Sequence, residues 1–83
     1  MPVDKTPEII CSQVASLLKE AREKRGWSLN LLSEKAGLSR QTITFIEQED
    51  RTPNLDTLIR ITSALEVDLA EIIAQAQRRA KRL

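Results

Sequence analysis

An all-α fold of five helices is predicted, and three observations carry the prediction. Trp27 and Phe45 are the only aromatic residues, so Leu, Ile and Ala supply the apolar content, a composition that favours helix over sheet. Apolar residues recur three and four apart, as in Ile10, Val14, Leu17, Leu18 and Ala21, which aligns them along one helical stripe. Glycines, prolines and capping residues then cut the 83 residues into five such segments.

The first helix is expected to open at Thr6-Pro7-Glu8, with threonine as cap, proline in the first helical position and an acid at the positive end of the dipole. Gly26, following Lys24-Arg25, stops it. Ser28 caps a short second helix, Leu29 to Ala36, which Gly37 ends in the left-handed conformation. Ser39 caps the third, where Ile43 and Ile46 give the buried spacing. Glu49 to Pro53 has no periodicity and reads as a loop. Asn54 caps the fourth, with Leu55, Leu58, Ile59, Thr62 and Leu65 on its inner face. Asp68 and Glu71 make a capping-box-like start to the fifth, whose inner face is Leu69, Ile72, Ile73 and Ala76. The run Arg78-Arg79-Ala80-Lys81-Arg82-Leu83 is a basic, fraying end. A single domain is expected over 1–83, with an N-terminal extension over 1–8 and a basic tail over 77–83.

Composition removes several classes of function. There is no histidine, so no imidazole base is available, and the one cysteine, Cys11, forms no intrachain disulfide. One thiol among carboxylates is a poor zinc set, and no Gly-rich phosphate loop is present. No catalytic residues, no metal and no cofactor are therefore expected. No apolar run approaches the roughly 18 residues of a membrane span, and the first residues lack a signal-peptide core, so a soluble cytoplasmic protein without membrane association is expected. Cys11 flanks the first helix's apolar face and is expected half-buried and structural.

Two short helices joined by the tight turn Ala36-Gly37-Leu38-Ser39 cross steeply, which is helix-turn-helix geometry. In that arrangement the first helix of the pair braces across the backbone and the second enters the major groove, where all four base pairs present distinct patterns. Three runs extend the motif: Leu18-Lys19-Glu20-Ala21-Arg22-Glu23-Lys24-Arg25-Gly26-Trp27-Ser28, Leu32-Ser33-Glu34-Lys35-Ala36-Gly37-Leu38-Ser39, and Thr42-Ile43-Thr44-Phe45-Ile46-Glu47. With Arg51-Thr52-Pro53-Asn54-Leu55 and Leu65-Glu66-Val67 they resemble the phage repressor and Cro-like (XRE-type) helix-turn-helix family over about residues 14–73. The resemblance implies a lambda-repressor-like five-helix fold, a homodimer, double-stranded DNA as partner and palindromic operators. A short controller of restriction-modification genes fits that profile.

Residue roles follow from the same resemblance. Arg40, Gln41, Thr44 and Phe45 lie on the outward side of the third helix, opposite Ile43 and Ile46. Arg40 can pair bidentately with guanine and Gln41 with adenine, whereas Phe45 offers only apolar contact, to a thymine methyl, the core or a partner. Ser28 and Ser39 at helix starts, with Arg51 and Thr52 in the following loop, are the phosphate candidates. Leu29 stands where the family commonly has glutamine, and Gln48-Glu49 where many relatives have arginine and glycine. Arg22 and Glu47 match a largely buried ion pair, and Trp27 an aliphatic core position.

Charge works against the reading, since Ser28 to Asp50 carries two bases and four acids, a net of −2. Ile9, Ile10, Leu17, Ile72 and Ile73 exceed the needs of a small core and are expected either to dock the first helix on the fifth or to form the dimer interface. The competing reading is a protein-interaction module such as an antitoxin, with a toxin or polymerase as partner and DNA binding secondary. It would use Phe45, the acidic Glu47-Gln48-Glu49-Asp50 run and the spare isoleucines.

Overall fold

The computed structural model describes residues 4–83. Five α-helices follow in chain order: α1 (Thr6–Lys24), α2 (Leu29–Ala36), α3 (Arg40–Glu47), α4 (Leu55–Leu65) and α5 (Leu69–Ala80). No strand is formed among the described residues.

The caps show why the helices begin where they do. Ser28, Ser39 and Asn54 each accept the N–H of the third residue on, at 2.8–3.0 Å, and Asp68 accepts that of Ala70 at 2.9 Å. Each side-chain oxygen thereby satisfies a donor that lacks a helical partner. The α1 start differs from expectation. Thr6 is already helical, and its N–H is accepted by Asp4 Oδ1 at 2.9 Å, so the aspartate takes the capping role assigned to threonine.

Four of the helices end alike, with one left-handed residue and a long backbone hydrogen bond closing over it. The bonds are Trp27 N–H to Arg22 O, Leu38 to Ser33, Asp50 to Phe45, and Val67 to Thr62. The left-handed residues are Gly26 (φ 70°), Gly37 (φ 68°), Glu49 (φ 63°) and Glu66 (φ 57°). Two of these Schellman-type ends thus use glutamate, which carries the Cβ that glycine avoids.

The core is built from one stripe of each helix: Val14, Leu17 and Leu18, then Leu32 and Ala36, Ile43 and Ile46, Ile61 and Leu65, and Ile72 and Ala76. The pairing of α1 with α5 is the most extensive, while α2 packs on both α3 and α4. This corrects the α4 face. Ile61, Thr62 and Leu65 point inward, but Leu55 and Ile59 are 64% and 49% exposed. The basic tail is also shorter than expected. Residues 77–80 belong to α5, where Arg78 pairs with Glu71 and Arg79 bridges to Glu20 of α1. Cys11 is exposed, not half-buried, because its position lies beside the α1 stripe and no neighbouring element covers it. No described helix is long and apolar enough to cross a membrane.

Candidate nucleic-acid interface

The turn between α2 and α3 is set by Gly37. Its φ of 68° belongs to glycine's range, and a Cβ there would lie 3.8 Å from Arg60 Nη1, so backbone conformation, not crowding, makes the demand. Ser39 then caps α3 twice over, accepting from the Thr42 N–H at 3.0 Å and lying 2.8 Å from the Thr42 hydroxyl. Ile43 and Ile46 are buried, which fixes the rotation of α3 and turns its other side out.

On that side Arg40 and Gln41 are exposed, while Thr44 and Phe45 are half-buried. The Thr44 hydroxyl donates to the Arg40 carbonyl at 3.0 Å. Arg51 stacks on Phe45, its guanidinium 4.6 Å from the ring centroid. A base-side candidate and a phosphate candidate are therefore joined by a cation–π contact. Among the described residues, the ion pairs engage cations other than Arg40 and Arg51. Thr52 is exposed beside Arg51. The Ser28 and Ser39 hydroxyl oxygens accept as caps, and the backbone N–H groups of the first turns of α2 and α3 are further donors there.

The brace behind α3 is the pair expected between Arg22 and Glu47. Arg22 Nε donates to Glu47 Oε2 at 2.7 Å and Nη2 to Oε1 at 2.9 Å, while Nη1 donates to the Trp27 carbonyl at 2.7 Å. The side chains are 12% and 7% exposed. Hydrogen bonding to Glu47 outweighs burial, which acts in the opposite direction, and raises the Arg22 pKa, so the guanidinium stays charged throughout any working range. Trp27 packs on the core edge with Arg25 and Lys35 at 5.0 and 5.2 Å from its ring centroid, so it is as much a cation platform as a core filler.

Sequence reasoning missed one residue here. Lys19 of α1 shares a surface hollow with Arg22, Leu29, Thr44, Glu47 and Gln48. It brings a cation to the start of α2, beside the leucine that replaces the family's usual glutamine. Its distance along the chain from the motif hid it. The residues proposed for pairing two chains are dispersed. Leu17 and Ile72 are 5% and 6% exposed and belong to the core, and Ile10 and Ile73 pack against that core, with Ile9 half-buried. For Leu17 and Ile72 the packing of α1 on α5 is the alternative that the fold realises, whereas Ile9 and Ile10 line an open hollow with Thr6, Gln77, Ala80 and Lys81. Among the described residues no group of three metal-ligating side chains is gathered.

A Helix-turn-helix family model matches residues 18–72, two thirds of the chain. The chain belongs to that family of DNA-binding transcriptional regulators. It is similar to the HTH-type transcriptional regulator SutR of Escherichia coli K12, 34% identical over 64 residues that cover 77% of this chain and 36% of SutR. The chain thus spans well under half of that relative. It is also similar to the antitoxin HipB of Escherichia coli K12, 29% identical over 58 residues, covering 70% of this chain and 66% of HipB. The crystal structure of the wild-type restriction-modification controller protein C.Esp1396I matches with a TM-score of 0.75 at 26% identity, covering 84% of this chain and 95% of that one. The helix-turn-helix chain is thus all-α and XRE-like, as the resemblance implied.

Proposed function

We propose that this helix-turn-helix protein binds a palindromic operator as a homodimer, with α3 of each protomer in the major groove. The observation that carries the reading is the exposure of Arg40 and Gln41 at the start of a helix whose rotation two buried isoleucines fix and whose far end an ion pair holds. A side chain reads a base edge only if its backbone is already positioned when it arrives.

Arg40 and Gln41 are the principal base readers, and Thr44 and Phe45 add a shorter polar and an apolar contact. Arg51, Thr52 and the first-turn N–H groups of α2 and α3 position the backbone, and Lys19 joins them. The likeness to a restriction-modification controller over almost that protein's full length supports a short operator-binding unit.

The likeness to the antitoxin HipB favours a second reading, a module that engages a protein partner. Its sequence features are largely absorbed elsewhere. Glu47 is committed to Arg22, Phe45 lies under Arg51, and Leu17 and Ile72 are in the core.

Selection of bound sites from a randomised duplex pool, at low and moderate salt, tests the proposal. Wild type is expected to recover a palindrome. Arg40→Ala and Gln41→Ala should each relax one position per half-site, with a loss of about 1–3 kcal/mol in discrimination. Recovery of no consensus by the wild type would overturn it in favour of the protein partner.

A further inference from the structure

We infer that Phe45 is a receptor for the C5-methyl group of a pyrimidine, so that a cytosine at the base pair it faces is accepted only when methylated at C5. The inference rests on the operator-binding reading above and names the base chemistry that one of its readers selects.

Phe45 is the aromatic side chain of α3 and stands one turn beyond Gln41, on the same stripe of the helix. Its backbone carbonyl accepts two N–H groups of the following loop, that of Asp50 at 2.8 Å and that of Arg51 at 3.4 Å. The loop thus folds back over residue 45 and brings the Arg51 guanidinium to 4.6 Å from the ring centroid. The cation lies against the electron-rich face of the ring and holds the ring in place. Half-burial leaves the remainder of the ring uncovered, next along the stripe from exposed Gln41. The ring is therefore positioned before DNA arrives, as a reader of base edges has to be.

Chemistry decides what such a ring can read. It has no donor and no conventional acceptor, so it matches none of the polar groups on the base edges. Set against one of them, it would strip water from a polar atom and return no hydrogen bond. The apolar feature of the major groove is the methyl at C5 of thymine. Cytosine carries only hydrogen there. In 5-methylcytosine the same methyl occupies the same place, and pairing with guanine is unchanged. Phe45 therefore treats methylated cytosine as it treats thymine and rejects the unmethylated base, which makes binding responsive to cytosine methylation. Burial of one methyl is worth about fourfold in affinity, and a palindrome presents it twice, so the response is about fifteenfold.

The test is titration of the selected palindrome and its chemically altered copies at one salt concentration. The copies carry deoxyuridine for thymine at one symmetry-related pair of positions at a time, or cytosine or 5-methylcytosine at that pair. The first exchange removes only the methyl, and the step from cytosine to 5-methylcytosine adds only the methyl. Wild type is expected to lose about fifteenfold on deoxyuridine at one pair of positions, and to bind 5-methylcytosine tighter than cytosine there by a similar factor. Folded Phe45→Gln, whose side chain reads by hydrogen bonds, should bind the methylated and unmethylated copies equally. Thr44→Ser removes the other methyl of the reading face, and the preference should survive in it whatever its overall affinity. Crosslinking of wild type to a palindrome with 5-bromodeoxyuridine at the sensitive pair gives a readout that no variant's folding can spoil. The bromine replaces the methyl, and the crosslinked residue should be Phe45. Absence of any deoxyuridine-sensitive thymine, or equal binding of cytosine and 5-methylcytosine, would overturn the inference while sparing the operator-binding reading. So would a preference that persists in folded Phe45→Gln, or a crosslink to another residue, since a different side chain then meets the methyl. A wild type that selects no palindrome would defeat the operator-binding reading, and this inference with it.

Discussion

At Glu47 both carboxylate oxygens accept from the Arg22 guanidinium, whose third nitrogen holds the Trp27 carbonyl. Glu47→Ala would strand an arginine that is 12% exposed, and removing one member of such a pair typically costs about 3–5 kcal/mol. Urea unfolding of the variant should show a loss in that range; a loss below about 1 kcal/mol would make the pair no more than a surface contact. Glu49 presents the opposite case. Its φ of 63° is a conformation that costs an L-residue roughly 1–2 kcal/mol and glycine almost nothing. Glycine gives back part of that through unfolded-chain entropy, so Glu49→Gly should stabilise by about 0.5–1 kcal/mol. The Glu49 side chain borders a hollow on the α1 side, so DNA affinity on one duplex at two salt concentrations should change little. The reverse change, Gly37→Ala, should destabilise by about 1–2 kcal/mol from φ, because the nearest atom at 3.8 Å leaves room for the methyl. The Arg22–Glu47 pair was legible only through resemblance, since its members lie 25 residues apart and nothing local ties them. The left-handed state of Glu49 had a signal, the family's glycine at that place, but the residue type in this chain argued against it.

Among the elements, α1 and α5 depend on a contact that pH can weaken. Arg79 donates to both carboxylate oxygens of Glu20 at 2.8 and 3.0 Å, and that hydrogen bonding, against a smaller effect of burial, lowers the Glu20 pKa below its ordinary 4.5. A carboxylate lowered in the folded state adds stability above its unfolded pKa and loses it as pH falls through the folded one. The contribution should therefore be intact at neutral pH and fade below 4.5. Glu71, held by Gln75 and Arg78, fades in the same direction. Both pairs are substantially exposed, so the effect is modest and salt weakens it. Thermal melts of wild type and Glu20→Gln should converge as pH drops from neutral to below 4. Parallel curves would show that the clamp contributes nothing. The helices themselves were legible because capping residues mark their ends. The orientation of α4 was not, because Leu55, Leu58, Ile59, Ile61, Thr62 and Leu65 span more than one face. Only the packing of α2, α1 and α5 against α4 selects Ile61 over Leu55 and Ile59. In α1 and α5 the same ambiguity left two outcomes open for Leu17 and Ile72, and packing within one chain is the one they adopt.

For the whole molecule, the electrostatic question is how a chain of net charge +1 holds a polyanion. Folding sorts its charges. Arg22, Arg25, Arg60, Arg78 and Arg79 are each tied to an acid, while Arg40 and Arg51 stand on the α3 side with Lys19 nearby. The acids are sorted as well, since Glu47 is neutralised by Arg22 and Glu49 borders a hollow with Pro7, Glu8, Cys11 and Ala15 of α1. Beside α3 the cations are Lys19, Arg40 and Arg51, so on the dimeric reading the groove contacts draw on both protomers. The dependence of the observed binding constant on salt measures this, because its logarithmic slope is about −0.9 per phosphate neutralised. Arg51→Ala should weaken binding to all sequences alike and reduce the slope by about one for each protomer engaged, whereas Arg40→Ala should also relax specificity. If two protomers bind each palindrome, wild type should show about twice the slope on the palindrome that it shows on an isolated half-site. Equal slopes would mean that one protomer makes all the phosphate contacts, and the cations beside α3 would then have to act without a symmetric partner.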